Sequence, residues 1–120
     1  MSRRLVVKVT AGSGASERCA QAFTVASIAV ASGADVSLWL TGEASWFALP
    51  GHAAGFELAD SAPLADLLDI VLADGEVFLC TQCANRRDIN ADDVIDGITI
   101  AGAAAFVASV MSEATQALVY

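Results

Sequence analysis

The chain has 120 residues, of which 56% are hydrophobic and only 17% are charged, and its net charge is −8. This length allows one hydrophobic core, so we expect a single domain over residues 1–120. The acidic balance excludes general nucleic-acid binding, which needs a basic face. The apolar fraction is more than a small monomer readily buries, and it therefore favours a homo-oligomer.

Neither long uncharged segment, 19–34 or 97–112, resembles a membrane span, because both are short and rich in Ala, Ser or Gly. The N-terminal residues lead directly into a strand-like run, without an apolar signal core or a small-residue cleavage site. We therefore expect no membrane partner and a cytoplasmic location. The three cysteines are an odd number for a disulfide framework, and they favour metal or thiol chemistry.

The first half of the chain reads as a β-α-β unit followed by a loop-rich segment. A β-branched run ends at Gly12 and Gly14, and the helical apolar period that follows stops at Gly33, a typical C-terminal cap. A second run then alternates as a strand does, and a short helical segment precedes a loop that reaches Ala62. The predicted elements are strand 5–10, helix 15–32, strand 35–40 and helical turn 44–49.

The second half continues the alternation of helices and strands. Pro63 fits the first turn of a helix that ends at Gly75, and helix 102–113 places Phe106, Val107 and Val110 inward. The predicted elements are helix 63–74, strand 76–80, short helix 81–87, helix start 90–93, strand 98–100, helix 102–113 and strand 117–120. Together they predict a three-layer α/β/α sandwich with a mostly parallel sheet of about five strands.

The strongest candidate for chemistry is the Cys80-Thr81-Gln82-Cys83 motif at the end of a buried strand. Reactive groups gather at the carboxyl ends of parallel strands, and a helix that begins at Thr81 favours a thiolate on Cys80. Cys83, one helical turn further, could resolve a modified Cys80. Arg86 and Arg87 are the only cations between Glu57 and Asp96, and Arg86 is our candidate for stabilising an anionic sulfur.

Other interpretations of the motif stay open. A cysteine at the end of a strand is often only a core residue, and Arg87 is expected to pair with Asp88, Asp92 or Asp93 on a solvated face. A Cys-x-x-Cys pair also supplies two of the four ligands of a zinc site, which another subunit could complete. A third interpretation is an oligomeric scaffold without catalytic activity.

Several residues outside the motif have weaker claims. Gly12 and Gly14 flank a turn at the start of a helix and are candidate contacts for an anionic substrate, although the dinucleotide and P-loop fingerprints are absent. Cys19 is assigned to the core and His52 to a solvated loop. Glu43 is read as an exposed acid at a helix start. Three aromatic residues could line a pocket or an interface, and we favour burial between subunits for them: Trp39, Trp46 and Phe47.

Three segments resemble the DsrE/TusD-like sulfur-transfer family: Val9-Thr10-Ala11-Gly12, residues 80–87, and residues 97–103 with the helix and strand after them. The resemblance covers nearly the whole chain. It implies an α/β/α sandwich, a trimer or hexamer, and a persulfide on Cys80, the position that matches the sulfur-carrying cysteine of the relay members. It also implies a sulfur donor or acceptor protein as partner, and neither a metal nor another cofactor.

The chain departs from the family pattern at two positions. Cys83 is not part of the one-cysteine relay, so it suggests a dithiol variant that releases sulfide or forms an internal disulfide. Asp88 stands where the family often has a glycine after an arginine, and Asp tolerates the left-handed backbone that such a glycine adopts. The resemblance thus predicts a sulfur carrier or sulfurtransferase with Cys80 as the primary thiol and Cys83 as the second.

Overall fold

In the computed structural model, which describes residues 3–120, five strands form one parallel sheet flanked by helices. The strands are β1 (Arg4–Val9), β2 (Asp35–Leu40), β3 (Glu76–Cys80), β4 (Ile98–Ala101) and β5 (Thr115–Val119). The helices are α1 (Ser16–Ala31), α2 (Leu64–Asp74), α3 (Thr81–Arg86) and α4 (Ala103–Val110). Short 3₁₀ helices cover Ser13–Ala15, Gly42–Ala48, Ala53–Gly55 and Ala91–Asp93. The predicted α/β sandwich is confirmed.

The strand order is β4-β3-β2-β1-β5, and every neighbouring pair is parallel. Leu40 of β2 pairs with Val9 of β1 and with Leu79 of β3, so these three strands end at the same edge of the sheet. Right-handed crossovers from β1 to β2 and from β2 to β3 put α1 and α2 on one face. The connection from β4 to β5 runs back across the sheet, and α4 therefore lies on the other face.

The main core lies between the sheet and the helices α1 and α2. Alternate residues of the strands, such as Val9 and Leu38, face this side and are fully buried. Helix α1 contributes Cys19 and Phe23 at helical spacing, as its sequence predicts. Helix α2 buries four residues, Leu64, Leu67, Leu68 and Val71. Phe47 also belongs to this core, so the expectation that it is buried between subunits is wrong.

Among residues 3–120, only α4 covers the opposite face of the sheet. The Trp39 ring stacks on Phe78 with 4.6 Å between centroids and meets the edge of Phe106 at 5.4 Å, so Trp39 is buried within the chain rather than between subunits. Lys8 Nζ lies 5.1 Å from the Phe106 ring centroid. Val107 is 53% exposed, and its predicted inward orientation is therefore wrong.

Element ends differ from the predictions at a few places. Helix α4 ends at Val110 rather than at residue 113, and β5 begins at Thr115 rather than at 117, because Ala114 takes a left-handed backbone with φ 54°. The helix start predicted at 90–93 is a single 3₁₀ turn, although Asn90 and Asp93 do form a capping box. Within residues 3–120, none of the helices combines the length and the apolar run that crossing a bilayer requires.

Candidate functional site

The ends of β1, β2 and β3 are tied together at the carboxyl edge of the sheet. The Thr41 hydroxyl donates to the Val9 carbonyl at 2.9 Å, and the Glu43 N–H donates to the Thr10 carbonyl at 3.2 Å. Between them Gly42 has φ +51°, and a Cβ there would lie 2.7 Å from the Thr10 carbonyl oxygen. Only glycine fits this turn, which orients the Gly42 N–H toward β3.

Cys80 is the last residue of β3 and immediately precedes α3. Its side chain is partly exposed, and Sγ lies 3.5 Å from Oε1 of Gln82. The connection after β3 packs on the α1 and α2 face through Ala84, whereas the connection after β4 crosses to the other face. Cys80 therefore lies where neighbouring strands send their connections to opposite sides, the place where open α/β sheets bind ligands.

Cys83 lies one turn into α3 and is only 8% exposed. The Gly42 N–H donates a hydrogen bond to its sulfur, with 3.3 Å between nitrogen and Sγ. This contact joins the segment after β2 to the helix after β3. The two segments are far apart in the chain, but the strands that precede them are neighbours in the sheet. The second thiol of the motif is therefore held against the end of β2, while the first faces the rim.

The surroundings of Cys83 favour its thiolate. Burial by itself raises the pKa of Cys83, but the hydrogen bond from the Gly42 N–H, the nearby Cys80 thiol, the Arg87 charge and the Ser45 hydroxyl outweigh it and lower the pKa below the ordinary value of 9.0. Helix α3 has only six residues, and the Cys80 side chain makes no capping hydrogen bond. The groups that favour an anion thus surround Cys83, whereas the sequence placed them at Cys80.

Ser45 lies in the 3₁₀ helix after β2 and has no exposed surface. Its Oγ makes no hydrogen bond of full geometry to any group of residues 3–120. A buried hydroxyl without a partner costs free energy, and an anionic Cys83 sulfur is the nearby acceptor that it lacks. The Ser45 hydroxyl is one of the groups that lower the pKa of Cys83.

Arg87 connects α3 to the loop after β2. Its Nη2 lies 2.8 Å from Oε2 of Glu43, its Nη1 donates to the Cys83 carbonyl at 3.1 Å, and its Cζ lies 5.9 Å from the Trp46 ring centroid. Arg87 pairs with Glu43, so the expected pairing with Asp88, Asp92 or Asp93 is wrong. The Arg87 hydrogen bond, although opposed by desolvation, lowers the pKa of Glu43.

The structure places Arg86 differently from Arg87. The Arg86 side chain is exposed at the end of α3, while Arg87 provides the charge that acts on Cys83. Asp88 has φ 53°, the left-handed backbone expected where the family has a glycine. That turn redirects the chain after Arg87, and it leaves the guanidinium of Arg87 alongside α3.

Gly12 and Gly14 lie at the same edge of the sheet but in different surroundings. A Cβ at Gly12 would lie 2.8 Å from the Glu43 carbonyl oxygen, so Gly12 permits close packing of two loops. Gly14 has open space around it and lines a pocket of about 460 Å³. The other residues that line this pocket are Ser13, Glu43, Trp46, Phe47 and His52. Glu43 connects the pocket to the thiol pair through Arg87.

Other parts of the chain offer less. His52 Nδ1 is 3.0 Å from the Trp46 carbonyl oxygen. A depression of about 560 Å³ between α1, residues 58–61 and Tyr120 has none of the cysteines in its lining.

Burial raises the pKa of Cys19 to about 12, so this thiol stays protonated and unreactive. Among residues 3–120, no three His, Cys, Asp or Glu side chains are grouped so as to hold a metal ion.

Three contributors to the site were missed by sequence reasoning. Gly42 and Ser45 were read only as parts of a loop and a helical turn, and Arg87 was assigned to a solvated pair. A glycine directly after a strand was the one usable signal, because such positions often require a left-handed backbone or a close approach. Ser45 gave no signal, because its neighbour Cys83 is distant in sequence.

Comparison with known proteins agrees with this architecture. The chain superimposes on the YchN protein of E. coli with a TM-score of 0.80, 23% sequence identity and full coverage of both chains. It also matches MTH1491, a protein of unknown function from Methanobacterium thermoautotrophicum, with a TM-score of 0.72, 9% identity and coverage of 99% of this chain and 100% of the other. No curated protein sequence matches it. The DsrE/DsrF-like family model matches residues 3–119, so the chain belongs to that family.

Proposed function

We propose that this protein carries sulfane sulfur as a persulfide on Cys80 and passes it to a thiol of a partner protein. One observation carries the proposal: Cys80 is the thiol that solvent reaches, at the end of β3 and directly before α3, where neighbouring strands send their connections to opposite sides. Cys19 is fully buried and Cys83 nearly so, which leaves Cys80 as the thiol best placed for a protein donor or acceptor.

The transfer of sulfur uses Cys80 alone. The Cys80 thiol gives its proton to solvent, and the Cys80 thiolate attacks the outer sulfur of a donor persulfide, R–S–SH. The bond between the two donor sulfurs breaks, its electron pair leaves with R–S⁻, and Cys80–S–SH results. In the second half of the cycle, an acceptor thiolate attacks the outer sulfur of Cys80–S–SH and releases the Cys80 thiolate.

The partners of this proposal are a sulfur donor protein, a sulfur acceptor protein and other copies of the chain. Thiol exchange of this kind needs reduced cysteines, and the proposal therefore extends to a reducing compartment such as the cytoplasm. Either a sulfur carrier or a sulfurtransferase is compatible with the site, and the two differ only in whether the donor is a protein persulfide or a small molecule.

Mass spectrometry after sulfur loading tests the proposal. The protein is incubated with inorganic polysulfide, desalted at once, and analysed as intact chain and as peptides. We expect one additional sulfur atom on the peptide that contains Cys80, no addition in Cys80→Ser, and normal loading in Cys19→Ser as the matched control. Loading of other thiols while Cys80 stays unmodified would contradict the proposal.

A further inference from the structure

Two features of the carrier site have no part in carrying sulfur. Cys83 is nearly inaccessible, so it cannot itself serve a protein partner. Yet its sulfur accepts a hydrogen bond from the Gly42 N–H, with 3.3 Å between nitrogen and Sγ. The fully buried Ser45 hydroxyl lies beside it and has no other acceptor within residues 3–120. These donors favour the thiolate form of Cys83, next to Cys80.

The geometry of the motif allows the two sulfurs to bond. Cys80 is the residue before α3 and Cys83 lies in its first turn, a separation for which Cβ atoms are roughly 5–6 Å apart, about 1–2 Å more than a disulfide spans. In the structure the Cys80 thiol donates to Oε1 of Gln82 at 3.5 Å, so it must turn toward Cys83. Formation of the bond therefore requires rotation of the Cys80 side chain and a small adjustment of the backbone.

We propose that Cys83 is the resolving nucleophile of the Cys80 persulfide and that the pair reduces sulfane sulfur to hydrosulfide. This inference rests on the proposed persulfide at Cys80 and names what becomes of the sulfur when no acceptor thiol takes it. The chemical class of substrate is a sulfane sulfur compound, the product is inorganic hydrosulfide, and the oxidised form of the protein contains a Cys80–Cys83 disulfide.

The step balances in atoms and electrons. The Cys83 thiolate attacks Sγ of Cys80–S–SH and forms the Cys80–Cys83 bond. The bond between Cys80 Sγ and the outer sulfur breaks, and its electron pair leaves with the outer sulfur and that sulfur's proton as HS⁻. The outer sulfur is reduced by two electrons, and the two cysteine sulfurs are oxidised to the disulfide. An external dithiol, protein or small molecule, returns the pair to its reduced form.

Gly42, Ser45 and Arg87 act on this step as positioning residues. Each of them touches Cys83 or its surroundings, and none reaches the outer sulfur through a contact that the structure shows. Loss of the Ser45 hydroxyl should slow resolution, because the attacking thiolate loses a donor, and it should leave the loading of Cys80 intact. Rescue by Ser45→Thr would show that the hydroxyl itself is responsible.

A single-turnover experiment tests the inference. The protein is loaded with inorganic polysulfide, desalted, and followed over time by intact mass and by trapping of released hydrosulfide. We expect each Cys80 persulfide to disappear with one hydrosulfide released and with a chain two hydrogen atoms lighter than the dithiol. Cys83→Ser should keep its persulfide and release none, and Ser45→Ala should release hydrosulfide about tenfold more slowly.

The outcomes separate this inference from the proposed function. A persulfide that lasts as long in the unmodified protein as in Cys83→Ser overturns the resolving role and leaves the carrier role intact. Transfer of the additional sulfur atom to Cys83, seen in the fragment masses of the peptide that contains both cysteines, also overturns it, because attack then occurs at the outer sulfur. If Cys80 gains no sulfur in any variant, both proposals fail.

Discussion

At the residue scale, three cysteines in one small chain have three different environments. Cys19 lies in the apolar layer of α1, Cys83 lies among hydrogen-bond donors, and Cys80 faces the rim of the sheet. Thiol reactivity depends on the thiolate fraction and on access. Cys80 has the access, and Cys83 has the surroundings that favour a thiolate. Access and the surroundings that favour a thiolate are therefore divided between the two cysteines of the motif.

Alkylation of the folded protein should distinguish these environments. With iodoacetamide near neutral pH, we expect Cys80 to be modified first, Cys83 much more slowly because it is 8% exposed, and Cys19 only after unfolding, because burial raises its pKa to about 12. Peptide masses over time give the order. Modification of Cys19 in the folded protein at the rate of Cys80 would contradict the assigned burial.

The Arg87 charge should set the pH at which the Cys83 thiolate forms. In Arg87→Gln the thiolate loses the positive charge that helps to lower its pKa, and we expect the ultraviolet absorbance of the thiolate to rise at a higher pH than in the unmodified protein. The sign follows because an opposite charge favours the ionised form. Arg86→Gln is the matched control, and an equal shift in both variants would show that the effect is general rather than local.

At the element scale, the loop from Thr41 to Glu43 determines the geometry of the pair. This loop is hydrogen-bonded to β1 on one side and to the Cys83 sulfur on the other. The position of Cys83 therefore depends on how β1 and β2 are paired. A donor on the main chain cannot be lost by a change of side chain alone. Only a change in backbone conformation removes it.

Gly42→Ala should break this arrangement. The added Cβ would lie 2.7 Å from the Thr10 carbonyl oxygen at a position with φ +51°, and we expect the free energy of unfolding to fall by about 1–3 kcal/mol. Urea denaturation measures this change in the free energy of unfolding. Gly14→Ala is the control, because nothing lies within 4 Å of its Cβ, and it should change stability by less than about 0.5 kcal/mol. Equal losses in the two variants would refute the explanation.

Much of the element pattern could be predicted from sequence, and the contacts of the site could not. Strand β3 ends at Cys80 because the apolar run stops there, a local property. The contact of Gly42 with Cys83 depends on β2 lying next to β3, and periodicity does not determine the order of strands. Helix α4 continued too far in the prediction because its end at Val110 has no glycine or proline as a stop signal.

At the scale of the whole molecule, the two faces of the sheet are unequally covered. The α1 and α2 face has a continuous core, whereas the described chain, residues 3–120, places on the other face one eight-residue helix with no buried residue. Val107, Met111 and Val119 are 53%, 78% and 64% exposed there, and 97–112 has no charged residue. Exposed apolar surface of this kind is typical of protein interfaces.

We propose that this face is buried between copies of the chain, in a trimer or hexamer. Val107→Asp should dissociate the assembly, because it places a charge in an apolar contact. Ile28→Asp is the matched control, since Ile28 is similarly exposed but lies on α1, and it should leave the assembly unchanged. Sedimentation velocity measures the oligomeric state of both variants. A monomeric protein at all concentrations, or an assembly indifferent to Val107→Asp, would contradict the proposal.

The position of β5 beside β1 has a consequence for biosynthesis. Strand β1 precedes the other four strands in the chain, yet one of its two hydrogen-bonding neighbours is β5, the last of them. While the ribosome is still making residues 115–119, one edge of β1 is open, and open strand edges pair readily with other chains. In the nascent protein this edge of β1 thus stays open until β5 has left the ribosome and can pair with it.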